Sequence, residues 1–319
     1  MVILPCHPDR ARAFASRAIV LRGNKVIYNN VRFRHPDAWK GLFSQCSYSG
    51  HIVSFVRTYL DLLNIPDTVF VLFLSDGDIQ ADSLEHLLQA AQLVGANRPA
   101  TVLVATLAQT SESAELRYVY MPLDDRVFRH GIRHALPTSI LPEWGDRSDT
   151  VFYRGGQSGN SEDPPPTLRY RVVEKLFSFP NSNCRVVRQW ERGYERPEYF
   201  GEKVHWQEFL KYKIFLIVDG NCIASNHMWG FAAGCVPFVI SRARCWFQDF
   251  IEPFVHYIPI AYDLSNLEEM ITWVREHDDE ARDIAQRALA LSTEIFSSTF
   301  QKQYLMRSIN SHVWSPRLY

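Results

Sequence analysis

One stretch constrains this chain more than any other: residues 211–240, KYKIFLIVDGNCIASNHMWGFAAGCVPFVI. Tyr212 to Val218 is an apolar run of strand length with no polar alternation after Lys213. Such a run predicts a strand covered on both faces, as in a parallel sheet. Asp219-Gly220-Asn221 breaks it with turn chemistry. Ser225 or Asn226 is placed to cap a helix carrying Met228, Trp229 and Phe231, Gly234 ends that helix, and Cys235 to Ile240 forms the next strand. A polar loop after a parallel strand, opening a helix N-terminus, is where α/β proteins bind anions.

The same alternation recurs along the chain. Short β-like pieces at Ala18 to Leu21 and Lys25 to Tyr28 precede an amphipathic helix from His51 to Leu63. Val69 to Leu74 and Ala100 to Ala108 are apolar strands, with a helix from Ser83 to Val94 between them. Residues 109–145 are loop-rich, with Pro122, Pro137 and Pro142. Beyond them come a strand, Asp149 to Tyr153, a helix, Thr167 to Phe177, and a strand, Cys184 to Arg188. After the central stretch follow a strand, His256 to Ile260, and helices from Leu267 to Arg275, Asp279 to Phe296 and Thr299 to Ile309. This alternation predicts two α/β halves: residues 1–145, then residues 146–300, with residues 301–319 packing back on the body. A groove between two such halves would suit a pair of substrates.

Composition narrows the function. Hydrophobic residues make up 46% of the 319 and charged residues 22%, so the chain can bury sizeable cores. A formal net charge of -1 argues against nucleic-acid binding, which needs a basic surplus. The six cysteines form no CxxC pair, which disfavours zinc and thioredoxin-type sites and suggests reduced thiols. Met1 to Pro5 is too short for a secretory core, Asp9 and Arg10 follow at once, and no run reaches membrane-spanning length. A cytoplasmic chain without a membrane span is the expectation.

Four motifs carry possible chemistry. In FYRGGQSG, Gly155 and Gly156 would let backbone approach a phosphate, and Arg154 would neutralise it; the loop equally suits an arginine paired with a carboxylate. It is neither a P-loop, lacking the Lys-Ser/Thr end, nor a nucleophile elbow at Ser158, because position 160 is Asn. Asp219-Gly220-Asn221 with Ser225-Asn226 reads as a diphosphate cradle or as an ordinary capped helix. Asp76-Gly77-Asp78 reads as a cation-binding DxD pair, as a general base at a strand end, or as a tight turn. His256-Tyr257-Ile258-Pro259 and Asp263-Leu264-Ser265-Asn266 could touch a ribose or base, or simply end a strand and cap a helix.

Taken in order, FYRGGQSG, KYKIFLIVDGN, the AS before an aromatic-bearing helix, GCVPFVI, Trp246-Phe247, HYIPI, DLSNL and DDEAR-x-IA resemble glycosyltransferase family 90. That family contains protein O-glucosyl- and O-xylosyltransferases. The wording GNCIAS and GCVPFVI is similar to compact members from algae and their large DNA viruses. The resemblance is strong from about 149 to 300.

The resemblance implies a GT-B fold, two Rossmann-like domains facing a cleft with the donor in the C-terminal half. It implies an inverting transfer of glucose or xylose from a UDP-sugar to a hydroxyl of a glycan or glycoprotein, with no metal or other cofactor. Carried over by motif, the catalytic aspartate falls on Asp76, with Asp78 as fallback. Donor contacts fall on Arg154, Gly155, Gly156, Ser158, Asp219, Gly220, Ser225, Asn226, Trp246 and Asp263. Two departures stand out. Asn226 occupies a position where many members have an arginine, and Gln157 replaces an arginine of the protein O-glucosyltransferases. Arg169, Arg171, Arg242 and Arg244 are the candidates to restore the missing charge. The alternatives are a metal-dependent DxD transferase and a non-catalytic nucleotide-sugar-binding or glycan-binding protein.

Overall fold

The computed structural model describes seven strands within residues 1–120, then Leu136, and then residues 138–310 apart from 160–165, 190–195, 221–222 and 225. The chain divides into two compact units. One takes Met1–Arg126, Arg244–Trp246 and Ser298–Tyr319; the other takes Val127–Ala243 and Phe247–Ser297.

In the first unit, the strands are β1 (Ile3–Leu4), β2 (Ile19–Arg22), β3 (Lys25–Asn29), β4 (Val69–Phe73), β5 (Ala100–Val104), β6 (Leu107–Ala108) and β7 (Leu116–Tyr120). The sheet runs β3-β2-β4-β5-β7, with β1 also on β4. Its β1, β4, β5 and β7 are mutually parallel, and the β2-β3 hairpin is antiparallel at the edge. The expected helices at 51–63 and 83–94 lie outside the described residues.

The second unit is built from β8 (Val151–Gly156), helix α1 (Leu168–Leu176), β9 (Ser182–Val187), β10 (Phe200–Gly201), β11 (Ile214–Val218), helix α2 (Asn226–Phe231) and β12 (Val236–Ile240). After the two-residue strand β13 (Ala243–Arg244) come β14 (Ile258–Pro259) and helices α3 (Leu267–Glu276) and α4 (Asp278–Ile295). The last helix, α5 (Ser298–Asn310), belongs to the first unit.

Two parallel three-stranded sheets, β10-β9-β8 and β11-β12-β14, make up the second unit. A parallel bridge between Ser148 and Tyr212 joins them along their amino ends. There the Ser148 amide donates to Lys211 O at 2.8 Å and the Lys213 amide to Ser148 O at 3.0 Å. The resulting order is β10-β9-β8-β11-β12-β14. Counted by appearance in the chain, that is third, second, first, fourth, fifth, sixth: the doubly wound order, whose strand connections reverse direction between β8 and β11.

Burial explains the apolar runs. Every residue of β11 and of β12 is buried, so neither strand has a solvent face to alternate toward. Val172, Val173 and Leu176 of α1 join Val151, Val186, Leu216 and Phe238 in one core. Each such side chain contributes roughly 1.5–3 kcal/mol of burial free energy. By contrast β9 alternates: Cys184 and Val186 are buried, while Asn183 is exposed and Arg185 half-buried; in β8, Val151, Phe152 and Tyr153 are all buried. One element is shorter than the sequence predicts: residues 232–234 are turns rather than helix. Among the described residues no helix is long and apolar enough to cross a membrane.

A buried arginine closes the end of α2. Arg147, 5% exposed, donates from Nη1 to Leu210 O at 2.7 Å and to Cys235 Sγ at 2.9 Å, and from Nη2 to Ala233 O at 3.2 Å. It supplies donors and positive charge where the helix leaves carbonyls unpaired. Gly234 sits at φ +65, and a Cβ there would lie 2.9 Å from Arg147 Nη2. Only a residue without Cβ satisfies both the left-handed backbone and that approach. Replacing Arg147→Met keeps most of the volume but leaves buried carbonyls unpaired. Urea denaturation should show a loss of about 2–4 kcal/mol.

Candidate active site at the carboxyl edge of the second sheet

In doubly wound sheets, ligands bind outside the carboxyl ends of the strands where the order reverses. Here that point lies between Gly156, ending β8, and Asp219-Gly220, following β11. The strands are bridged at their amino ends, and at the carboxyl ends a side chain stands between them. Arg169, in the first turn of α1, donates from Nε to Val218 O and Asp219 O, both at 3.2 Å. Its Nη1 donates to Ser158 Oγ at 2.7 Å and to Gly156 O at 3.4 Å. Gly220 packs directly on this group: a Cβ there would lie 2.9 Å from both Arg169 Nη2 and Ser158 Oγ. Ser158, Gly220 and the Arg169 guanidinium thus meet at one point.

Asp219 lies below that point and faces the next strand. It is 4% exposed. Its Oδ2 accepts from Ser241 Oγ at 2.6 Å and from the Arg242 amide at 3.1 Å, which ties the loop after β12 to the end of β11. Its Oδ1 is buried without a hydrogen-bond partner. Burial pushes the carboxyl up to about 6, against the opposing pull of Ser241, the Arg242 amide and the Arg169 charge. Beside it, burial pushes the Tyr153 hydroxyl up to about 12.

The loop after β12 carries a second cation. The Arg242 guanidinium stacks on the Tyr262 ring, 3.7 Å from its centroid, and Arg171 of α1 approaches the same ring at 5.7 Å. Cation–π contacts hold such groups in place without neutralising them. Among the described residues, Arg169, Arg171 and Arg242 form no salt bridge. Among the described residues the carboxyl edge therefore presents three guanidiniums outside salt bridges, with Arg169 beside a buried carboxyl whose proton affinity is raised. Such a charge balance suits an anion.

The structure brings together only part of the expected set. Ser158, Asp219 and Gly220 converge, and Gly156 contributes its carbonyl to Arg169. Gly155 packs against the Tyr153 ring, where a Cβ would overlap the hydroxyl oxygen. Arg154 turns away. Its Nη1 donates to Tyr153 O and Asn183 O and its Nη2 to Asn183 Oδ1, all at 2.8 Å, and it lies 4.7 Å over the Phe152 ring. These partners sit back toward the middle of β8 and β9, so the guanidinium points away from the strand ends. Asn226 donates from Nδ2 to Leu216 O at 3.4 Å, down β11. Asp263 is exposed and accepts the Ser265 amide at 3.0 Å, which lowers its pKa within its own turn. Trp246 belongs to the other unit, buried with its ring 5.4 Å from Tyr304 of α5. Asp76, Asp78 and Ser225 lie outside the described residues.

Gln157 accounts for one missing charge. It is buried, and its Oε1 accepts the Gln189 amide, so it fastens the ends of β8 and β9 together. A guanidinium has no acceptor atom and could not make this bond. Sequence reasoning missed Ser241 and Tyr262. Ser241 carries a usable signal, since a hydroxyl one residue past a buried strand is placed to meet the end of its neighbour.

Comparison with known proteins places this arrangement. Residues 131–311, more than half of the chain, match the model of glycosyl transferase family 90. The chain belongs to that family. A protein called 179R from Invertebrate iridescent virus 6 is 31% identical over 182 residues, covering 46% of this chain and 15% of 179R. Human protein O-glucosyltransferase 1 is 27% identical over 147 residues, covering 45% of this chain and 36% of the enzyme. The match thus spans about a third or less of these relatives. Among solved structures, Anabaena Alr3699/HepE in complex with UDP superposes with a TM-score of 0.43 at 10% identity, covering 84% of each chain.

The buried carboxyl makes a testable contribution to stability. Asp219 holds its proton more tightly folded, at about 6, than at its ordinary 3.8. The stability it lends is full below about 3.8 and is lost as pH rises through about 6, up to about 3 kcal/mol. Denaturant midpoints of Asp219→Asn should gain on wild type between about pH 4 and pH 7. Parallel profiles would show that Asp219 titrates normally.

Proposed function

We propose that this chain is an inverting glycosyltransferase. It moves glucose or xylose from a UDP-sugar to a hydroxyl of a glycan or glycoprotein. The observation that carries the reading is Arg169 at the strand-order reversal of a family 90 sheet, with Arg171 and Arg242 gathered at the Tyr262 ring along the same edge, none of them in a salt bridge among the described residues. A diphosphate carries the charge and the acceptor oxygens that such a group recognises. The match to protein O-glucosyltransferases favours a sugar donor and a protein-borne hydroxyl.

In this reading residues 146–300 bind the donor and residues 1–145 supply the acceptor side and the base. Asp76 takes the proton from the acceptor hydroxyl. The oxygen attacks the anomeric carbon from the face opposite UDP, and the bond to the diphosphate oxygen breaks as the new glycosidic bond forms. The products are the glycoside, UDP and the proton held by Asp76. Arg169 and Ser158 stabilise the departing diphosphate, whose charge grows in the transition state, and no metal is required. Arg154 serves the sheet rather than the donor. Buried thiols at Cys184 and Cys235, outside any disulfide, favour a reducing compartment such as the cytoplasm.

Three measurements test this. Asp76→Asn should keep UDP-sugar binding while transfer falls by at least about a hundredfold, as expected for loss of a general base. Arg169→Lys keeps the charge but loses the fork, and should weaken UDP-glucose binding by about tenfold or more. A chelator should leave turnover unchanged; loss of turnover restored by added divalent cation would instead support the metal-dependent alternative.

A further inference from the structure

Asp219 is buried at the carboxyl edge, yet it touches none of the atoms that would receive the diphosphate. Its two hydrogen bonds, from Ser241 Oγ and the Arg242 amide, both fall on Oδ2. Its Oδ1 is enclosed and has no partner. A carboxylate with one satisfied and one bare buried oxygen is costly, because the bare oxygen has lost its water for nothing. A neutral carboxylic acid with its proton on Oδ1 keeps both observed bonds and removes the charge. The anchor of the 241–242 loop is therefore indifferent to protonation, and the electrostatics of the crevice are not.

We propose that Asp219 is a positioning residue of the donor site that binds one proton together with the diphosphate, holding the Ser241–Arg242 loop in place while giving up its own negative charge beneath the phosphate. The inference rests on the donor reading above. Its physical basis is linkage: an anion bound beside Arg169 makes ionised Asp219 less favourable, so the ligand raises proton affinity and the proton raises ligand affinity by the same factor. The raised pKa of the free carboxyl, about 6, places the exchange near neutrality. The charged and titratable groups facing Asp219 are Arg169 from α1, the Tyr153 hydroxyl from β8 and the Ser241–Arg242 loop after β12. Tyr153, held at about 12, stays protonated throughout the range. Among these described groups, Asp219 is the one whose charge changes near neutrality.

The probe is UDP-glucose, whose doubly esterified diphosphate does not titrate near neutrality, whereas the terminal phosphate of UDP does. Calorimetric titration of the full chain should show wild-type affinity rising about tenfold from about pH 8 to about pH 5. Repeating it near pH 6.5 in two buffers of different ionisation enthalpy should reveal uptake of about half a proton per ligand. Asp219→Asn mimics the protonated acid, with its amide oxygen accepting from Ser241 and Arg242. It should bind at about pH 8 as tightly as wild type does at about pH 5, with no proton uptake. A merely structural aspartate would instead give an Asn variant that binds more weakly at every pH.

Equal wild-type affinity at both pH values, or the same pH dependence in the Asn variant, overturns the proposal. Should the variant fail to fold, the two-buffer measurement on wild type decides alone, and zero proton uptake overturns the proposal. No UDP-glucose binding at any pH overturns the donor reading together with this one. PH-independent binding overturns only the role given to Asp219.

Discussion

The site depends on one guanidinium standing between two strand ends. In an open sheet, the carbonyls that finish neighbouring strands must find donors. Where β8 and β11 are bridged, at Ser148 and Tyr212, backbone supplies them. At the carboxyl ends Arg169 supplies them, reaching Val218 O, Asp219 O and Gly156 O from the first turn of α1. The same group presents its outer edge to Ser158 and Gly220. It therefore serves as a backbone donor while a part of the guanidinium faces the loop ends, and its closeness with Ser158 leaves no room for a side chain at Gly220.

Around this group the charge balance is one-sided. Arg171 and Arg242 are held by the Tyr262 ring rather than by carboxylates, so their charge remains available. Asp219, an acidic neighbour among the described residues, sits where ionisation is disfavoured by burial. The contrast with the amino end of the sheet is instructive. There Lys213 is paired with both Asp149 and Asp278, at 2.9 and 2.7 Å. Positive charge is neutralised where the fold needs only cohesion and left open where the strand order reverses.

Much of the second unit is legible before any coordinates. β11 and β12 are continuous apolar runs because both faces are covered; the expected runs from Tyr212 and Cys235 begin two and one residues before the observed strands and end with them. Helices α3 and α4 show their buried stripes in spacing alone, through Leu267, Ile271 and Val274 and through Ala281, Ile284, Ala285 and Ala288. The choice of arginine was not legible. Arg154 stands in the motif and Arg169 stands one helix later, and a long flexible side chain does not announce its direction. In the fold, Asn183 beside β8 captures Arg154, while the first turn of α1 aims Arg169 at the crevice.

Some properties depended on local patterning alone: the α/β class, the order of strands and helices, the glycine-lined turn ending at Ser158 and the membership of family 90. These are encoded by period, turn chemistry and motif order, each of which is short-range. Three others were decided only in the tertiary structure. One is the doubly wound order that places a reversal of strand connections between β8 and β11. Another is the delivery of cations to it by α1 and by the loop after β12. The last is the burial that raises the proton affinity of Asp219. Each requires segments far apart in the chain to share one strand end, and neither charge, burial nor a hydrogen-bond partner across that distance is a property of the residue itself.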